Sequence, residues 1–333
     1  MNWNIIGHQQ IINFFEAAIK NEKLAHAYIF YGSKQVGKRS LVRKLVQNLF
    51  CYNNNQNLDK IPCGECEHCL QLKKRTHPDV FWLKKEKDKK DITIEQVRQL
   101  QNELAVHSFF KSYKVAVIDG VEDMNKAAAN ALLKTLEEPK QKTVIFLIAK
   151  SITGVPKTIL SRAQKIKLLP VPFREIYDYL IEKGVERTRA KQLANLANGR
   201  PGRALTFLHS DEMWQNYLGQ MKTFSALART SRVNRFKFAE KILSQSKSVA
   251  EKQDLLTPMF NLWQILTRDL MLRKLYQNDR IINTIDGEGM KELEKKYSLN
   301  DLLRIQQSIE NTKESLRMNV NARLALENLL LKF

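Results

Sequence analysis

The sequence predicts an α/β domain built on a parallel sheet, followed by an all-α region. That prediction rests on three observations. Over roughly the first 170 residues, short apolar runs alternate with amphipathic stretches of helical period. A glycine-bounded loop, Gly32-Ser33-Lys34-Gln35-Val36-Gly37-Lys38-Arg39-Ser40, follows one of these runs and opens a helical stretch. After Pro170-Val171-Pro172 the strand-like runs stop.

Each element can be justified in order. Residues 11–19 place Ile11, Ile12, Phe15, Ala18 and Ile19 at helical spacing. Ala27-Tyr28-Ile29-Phe30-Tyr31 is short, apolar and aromatic, and reads as a buried strand closed by Gly32. Residues 41–50 return to helical period. Val80-Phe81-Trp82-Leu83 is a second strand, and the charged stretch at 84–91 reads as an exposed loop. Residues 93–104 set Ile94, Val97, Leu100 and Leu104 on one helical face. Val115-Ala116-Val117-Ile118 is a third strand, ending at Asp119. Residues 125–136 are helical and stop before Pro139, because the residue preceding proline is pushed out of the helical region. Residues 144–149 form a further strand. In parallel sheets ligands sit beyond the carboxyl ends of the strands, where Gly32 and Asp119 both fall. Residues 173–208 divide into short helices with a turn at Asn198-Gly199-Arg200-Pro201-Gly202, and 211–333 is almost wholly helical, with long amphipathic stretches at 255–276 and 319–333.

Composition narrows the function classes. With 43% hydrophobic and 27% charged residues, the chain of 333 is no disordered polymer, and 12 Gly with 8 Pro exclude a collagen-like one. Its longest apolar runs are too short to cross a bilayer, and the first residues lack the basic-then-apolar pattern of a signal peptide. A cytoplasmic protein without a membrane partner is expected. The net charge of +20 is unevenly spread: residues 151–250 carry 18 basic and 7 acidic side chains, residues 251–333 carry 13 and 12. A basic middle attracts nucleic acid or nucleotide, or is simply a solvated surface.

The loop at 32–40 has the G-x-x-x-x-G-K pattern of a phosphate cradle. Gly32 and Gly37 permit a nest of backbone N–H groups, and Lys38 would reach the outer phosphates of ATP or ADP. The next residue should carry a hydroxyl for Mg²⁺ but is Arg39, which has no acceptor atom. Ser40 comes one residue late, about 100° further round the helix. Asp119 stands at the metal position of the second nucleotide strand, and Gly120 stands where hydrolysing proteins of this group carry a water-orienting Glu. Two missing parts argue against hydrolysis; nucleotide binding and a merely structural turn both stay open.

Cys51, Cys63, Cys66 and Cys69 give C-x11-C-x2-C-x2-C, a spacing that lets four thiolates close a tetrahedral, structural Zn²⁺ site. His68 and His77 could compete as ligands, and an iron–sulfur cluster is the chemical rival. Lys73-Lys74-Arg75 beside the module could instead touch nucleic acid.

Together these residues resemble the delta-prime subunits of the bacterial DNA polymerase III clamp loader. The resemblance covers nearly the whole chain. It rests on Ile6-Gly7-His8, His26-Ala27-Tyr28-Ile29-Phe30 with the loop that follows, the cysteine module and the strand ending at Asp119. It continues through Asn130-Ala131-Leu132-Leu133-Lys134-Thr135-Leu136-Glu137-Glu138-Pro139, Thr158-Ile159-Leu160-Ser161-Arg162 and Asn321-Ala322-Arg323-Leu324-Ala325-Leu326-Glu327-Asn328. It implies an AAA+ P-loop core at 1–167 with a zinc module at 51–69, a helical lid at 168–209 and a helical collar for oligomerisation at 210–333. The collar would join gamma/tau ATPase and delta subunits in a hetero-pentamer that loads the sliding clamp onto primed DNA during replication. It also implies little or no intrinsic ATPase. The family's Ser-Arg-Cys motif reads Ser161-Arg162-Ala163 here, so Arg162 would act as an arginine finger in trans; a structural bridge to a carboxylate is the alternative. Either Arg200 or Arg203 could lie near phosphate as a second sensor, and Lys150 departs from the hydroxyl usual after the fourth strand. Two other functions compete: the ATP-hydrolysing gamma/tau subunit, disfavoured by Arg39 and Gly120, and an independent zinc-dependent nucleic-acid-binding protein.

Overall fold

Strands β1 (Ala27–Tyr31), β2 (Val80–Lys84), β3 (Lys114–Asp119), β4 (Thr143–Ala149) and β5 (Gln164–Lys167) form one parallel sheet in the order β2-β3-β4-β1-β5. The computed structural model describes residues 3–52, 61–86, 89–110, 112–139, 142–245, 248–283, 285, 288–318 and 320–333. The Asn-rich stretch of the cysteine module, Lys87 and Asp88 of the charged loop, and Asn319 lie outside the described residues. The chain divides into two compact units, Met1–Glu182 with Gly199–Gly202, and Lys183–Asn198 with Arg203–Phe333.

In the first unit the strands that read as unbroken apolar runs alternate between two cores. Tyr28 and Phe30, Val115 and Val117, and Val144, Phe146 and Ile148 face one side. They pack there on α1 (Gln9–Lys20) and α2 (Lys38–Phe50) through Phe15, Leu41, Leu45 and Val46. Ala27 and Ile29, Ala116 and Ile118, and Ile145 and Leu147 face the other side, against α4 (Ile94–Ala105) and α5 (Lys126–Glu137). Helices on both faces remove the solvent side of the sheet, so each period-two face must be apolar and the alternation disappears from the sequence. α3 (Glu67–Lys74) lies in the cysteine module. The helices start where the sequence offers caps: the Thr93 amide donates to Gln96 Oε1 (3.0 Å) and Asn125 Oδ1 accepts from the Ala128 amide (2.8 Å).

Three short elements, α3 among them, are not foreseen by periodicity. β5 pairs with β1 at the sheet edge, and three of its four residues are exposed. An edge strand facing water needs no apolar run. The short helix α6 (Lys157–Leu160) precedes it, and α7 (Phe173–Glu182) follows.

The second unit is helical: α8 (Arg187–Ala197), most of α9 (Pro201–His209), α10 (Asp211–Arg229), α11 (Arg232–Leu243), α12 (Val249–Lys274), α13 (Glu288–Lys296), α14 (Leu299–Arg317) and α15 (Ala322–Leu330). Its centre is Trp263 of α12, fully buried, with ring centroids of Phe224, Phe260 and Phe333 at 5.9, 5.8 and 5.3 Å. The buried Arg235 ties the ends of α10 and α15 together. It donates to the carbonyls of Leu227 (2.9 Å), Leu330 (3.1 Å) and Phe333 (3.1 Å), which close α10 and α15. A buried guanidinium is tolerated because fixed acceptors meet its donors. Removing it takes a donor from the Leu227 and Leu330 carbonyls, while the Phe333 carbonyl keeps the Tyr297 hydroxyl (2.9 Å). Arg235→Ala is therefore expected to destabilise the second unit by about 2–3 kcal/mol in urea unfolding, read as a lower midpoint at an unchanged slope.

Candidate functional site

The register of the sheet levels three strand ends. Tyr31 of β1 pairs with Ala149 of β4, and Asp119 of β3 pairs with Ile148. The phosphate loop, Asp119 and Lys150 therefore leave the sheet at one edge, beyond the carboxyl ends of its central strands. Gly32, at φ 147, passes so close to β5's exit that an added Cβ would stand 2.4 Å from the Leu168 carbonyl oxygen. Gly37, at φ 114, starts α2, and no side chain caps that helix. Its first-turn amides remain to be met by an anion.

Three cations and three carboxylates surround the loop. Lys38 is buried and donates to the carbonyls of Gly32 and Ser33, the latter at 2.7 Å. Burial lowers its pKa, and the nearby Glu122 and Asp119 only partly restore it. Arg39 Nε pairs with the Asp119 carboxylate. Lys150 Nζ lies 3.3 Å from Glu122 Oε1 and 3.6 Å from Asp123 Oδ1, and its amide also donates to Glu122 Oε1 (3.1 Å). Burial pulls Lys150 down, but these two carboxylates outweigh it and raise its pKa. Gly120 has φ 90, and a Cβ there would meet Asp123 Oδ2 at 2.8 Å. Ser40 is exposed on the first turn of α2. These residues do not fit Mg²⁺, which demands oxygen ligands: the position that should supply a hydroxyl is a cation, and it holds the carboxylate that should face the metal.

The cysteines do come together. The four sulfurs lie within 4.8 Å of one another, and the Cys63 and Cys69 Sγ atoms are 3.9 Å apart. A tetrahedron with metal–sulfur bonds of about 2.3 Å has edges of about 3.8 Å. The Cys63 amide points at Cys51 Sγ and the Cys66 amide at Cys63 Sγ, both at 3.4 Å, as donors that favour thiolates. Burial pushes the Cys63 thiol up, but the Cys66 and Glu65 amides and the Cys51 thiol reverse this and bring it to about 7. Cys69 is pushed up, chiefly by burial and also by the adjoining thiols. A central cation would relieve that conflict, so the donor set fits a metal ion. His68 and His77 take no part. His68 Nδ1 and His77 Nε2 are hydrogen-bonded at 2.9 Å, with Phe50 and Phe110 against the rings. Burial, with the neighbouring His68, holds His77 down at about 4.

Arg162, just past α6, forms an ion pair with Glu137 at the end of α5 (Nη2 to Oε1, 2.5 Å), and its Nη1 donates to the Thr158 carbonyl and to Ser161 Oγ. Sequence reasoning missed Glu137 as its partner, although Glu137 lies within the Leu-Glu-Glu-Pro stretch. It also missed the pair of carboxylates under Lys150. Of the two sensor candidates, Arg200 lies in the segment whose Gly202 amide donates to the loop's Gln35 carbonyl (2.9 Å). Arg203 belongs to the helical unit, with its guanidinium 5.5 Å from the Phe207 ring centroid and 5.9 Å from that of Tyr217.

A glycine-bounded loop between a central parallel strand and an uncapped helix, with an Asp at the end of a second strand, defines a P-loop module. The model of the family described as "DNA polymerase III, delta subunit" matches residues 7–172. The DNA polymerase III subunit delta' of Bacillus subtilis is 26% identical over 99% of this chain and 98% of its own length. The Haemophilus influenzae subunit delta' is 34% identical over 67% of this chain and 66% of its own. A DNA polymerase III gamma subunit-related protein of Thermotoga maritima aligns in structure over 95% of this chain and 97% of that one, with 19% identity and a TM-score of 0.37. The chain belongs to the delta-prime family of DNA polymerase III clamp-loader subunits. Among the described residues no helix is long and apolar enough to cross a membrane.

Elemental analysis of the purified chain is expected to find about one metal ion per chain, held by the four thiolates. Cys69→Ser should lower that occupancy and the thermal midpoint together; a folded, metal-free wild-type chain would contradict the site.

Proposed function

We propose that this chain is a clamp-loader subunit that does not hydrolyse ATP itself and supplies Arg162 to the ATPase site of a neighbouring gamma/tau subunit. The observation that carries the first half is the Arg39–Asp119 ion pair, reinforced by Gly120. One cation replaces the metal's hydroxyl ligand and occupies its carboxylate, and Gly120, not a carboxylate, directly follows Asp119 at the water-orienting position. The gamma/tau reading needs both parts and is disfavoured for the same reason. The reading as an independent nucleic-acid-binding protein leaves the family's loop and arginine motif without a role.

Arg162 supports the second half. It is half-buried, held by Glu137 and by its own helix, so the guanidinium is oriented before any neighbour arrives. An arginine keeps its charge at all pH values met in a cell, and its planar fork matches phosphate oxygens. Delivered to a γ-phosphate, it would balance charge developing in the transition state. In this reading residues 168–209 are the lid, and 210–333 the collar that binds gamma/tau and delta subunits in the pentamer. The complex acts in the cytoplasm on the sliding clamp and primed DNA. The four cysteines hold a structural Zn²⁺, which leaves no open coordination position for chemistry.

The purified chain is expected to show no ATP turnover above a Lys38→Ala control, with or without DNA; measurable excess turnover would defeat the reading. In the reconstituted loader, Arg162→Ala should slow the one site it faces by about 10³-fold or more while leaving assembly intact on size-exclusion chromatography. Unchanged loader turnover would remove Arg162 from that role.

A further inference from the structure

The charge arrangement around the phosphate loop goes beyond a failure to hydrolyse. We propose that the loop binds the phosphates of a nucleoside diphosphate or triphosphate free of divalent metal, with the Arg39 guanidinium standing in for the metal ion. The proposal rests on reading residues 32–40 as a phosphate loop without turnover. Two features of the loop favour an anion: the uncapped amides of α2 behind Gly37, and Lys38 seated against the Gly32 and Ser33 carbonyls, from which it can turn to phosphate. Three features reject a dication. Arg39 offers no acceptor. Asp119 is already paired with Arg39, and Glu122 and Asp123 with Lys150. Any divalent ion would also enter beside three side-chain cations.

Arg39 can make the exchange. Its side chain is 74% exposed, whereas Asp119 is 17% exposed, so the arginine is the mobile partner and the carboxylate the fixed one. Nε takes the carboxylate, and the guanidinium fork carries two further nitrogens of the kind that pair with phosphate oxygens. A metal-free diphosphate brings its full negative charge to this cluster. The same ligand loaded with Mg²⁺ brings less charge and an ion with no protein ligand.

The test is calorimetric titration of the purified full-length chain with ADP, in excess EDTA and again in excess Mg²⁺, with inorganic pyrophosphate as a parallel probe. ADP is expected to bind at least as tightly in EDTA as in Mg²⁺. Pyrophosphate binding like ADP would assign the affinity to the phosphates alone, and tighter ADP binding would add the nucleoside; both support metal-free recognition. Arg39→Ala should weaken ADP in EDTA about tenfold. Arg39→Thr, which supplies the hydroxyl and frees Asp119, should reverse the preference, with ADP about tenfold tighter in Mg²⁺. Circular dichroism should show both exposed-site variants folded. ADP binding by the wild type only in Mg²⁺, binding in neither buffer, or an Arg39→Ala chain indistinguishable from wild type would overturn the proposal. The trans role of Arg162 is read separately from turnover of the assembled loader, so failure here leaves that reading intact.

Discussion

The parallel register of β1, β3 and β4 is the constraint on which the site depends. Because Tyr31 sits opposite Ala149 and Asp119 opposite Ile148, the residues that follow these strands emerge at one height. Arg39, on the first turn of α2, can then reach a carboxylate two strands away, and Lys150 can reach the turn that follows Asp119. A shift of one residue along β3 would turn Val115 and Val117 into the wrong core and carry Asp119 to the other face. The packing of two apolar cores thus holds the charged cluster in place.

The cysteine module works by a different economy. Its small core contains Cys51, Ile61 and Cys69, with Cys63 and Cys66 packed beside them. A hydrophobic cluster of that size cannot order a loop by burial alone, so sulfur–metal bonds would supply the order instead. The buried His68–His77 pair extends the module toward β2. Asp79 finishes it, accepting from the Phe109 and Phe110 amides at 2.9 and 3.1 Å.

Much of this was legible in the sequence. The four apolar strands, the phosphate loop and the cysteine quartet all announce themselves through period, spacing or residue type. β5 did not, because Gln164-Lys165-Ile166-Lys167 belongs to an exposed edge and carries no apolar signature. α3 did not, because it is short and its buried face is built from His68, Cys69 and Leu72. In the site, the sequence shows that Arg39 cannot ligate a metal, but not that it reaches Asp119, 80 positions later along the chain. The pairing of Arg162 with Glu137 is hidden for the same reason: ion pairs across elements depend on where the sheet places the ends of α5 and α6, and spacing along the chain carries no trace of that.

The glycine at position 120 is locked to its surroundings by the turn it makes. A glutamate placed there would set its Cβ against the Asp123 carboxylate at a backbone angle few side chains accept, and Asp123 is itself engaged with Lys150. A hydroxyl at position 39 would still face a strand end with no residue to direct water. Neither change alone would therefore supply both parts, and the change at 120 would also meet the Asp123 carboxylate. On the proposed reading, a metal-binding hydroxyl together with a water-orienting carboxylate would require coordinated change at residues 39, 120, 123 and 150, because the side chains now present fit one another.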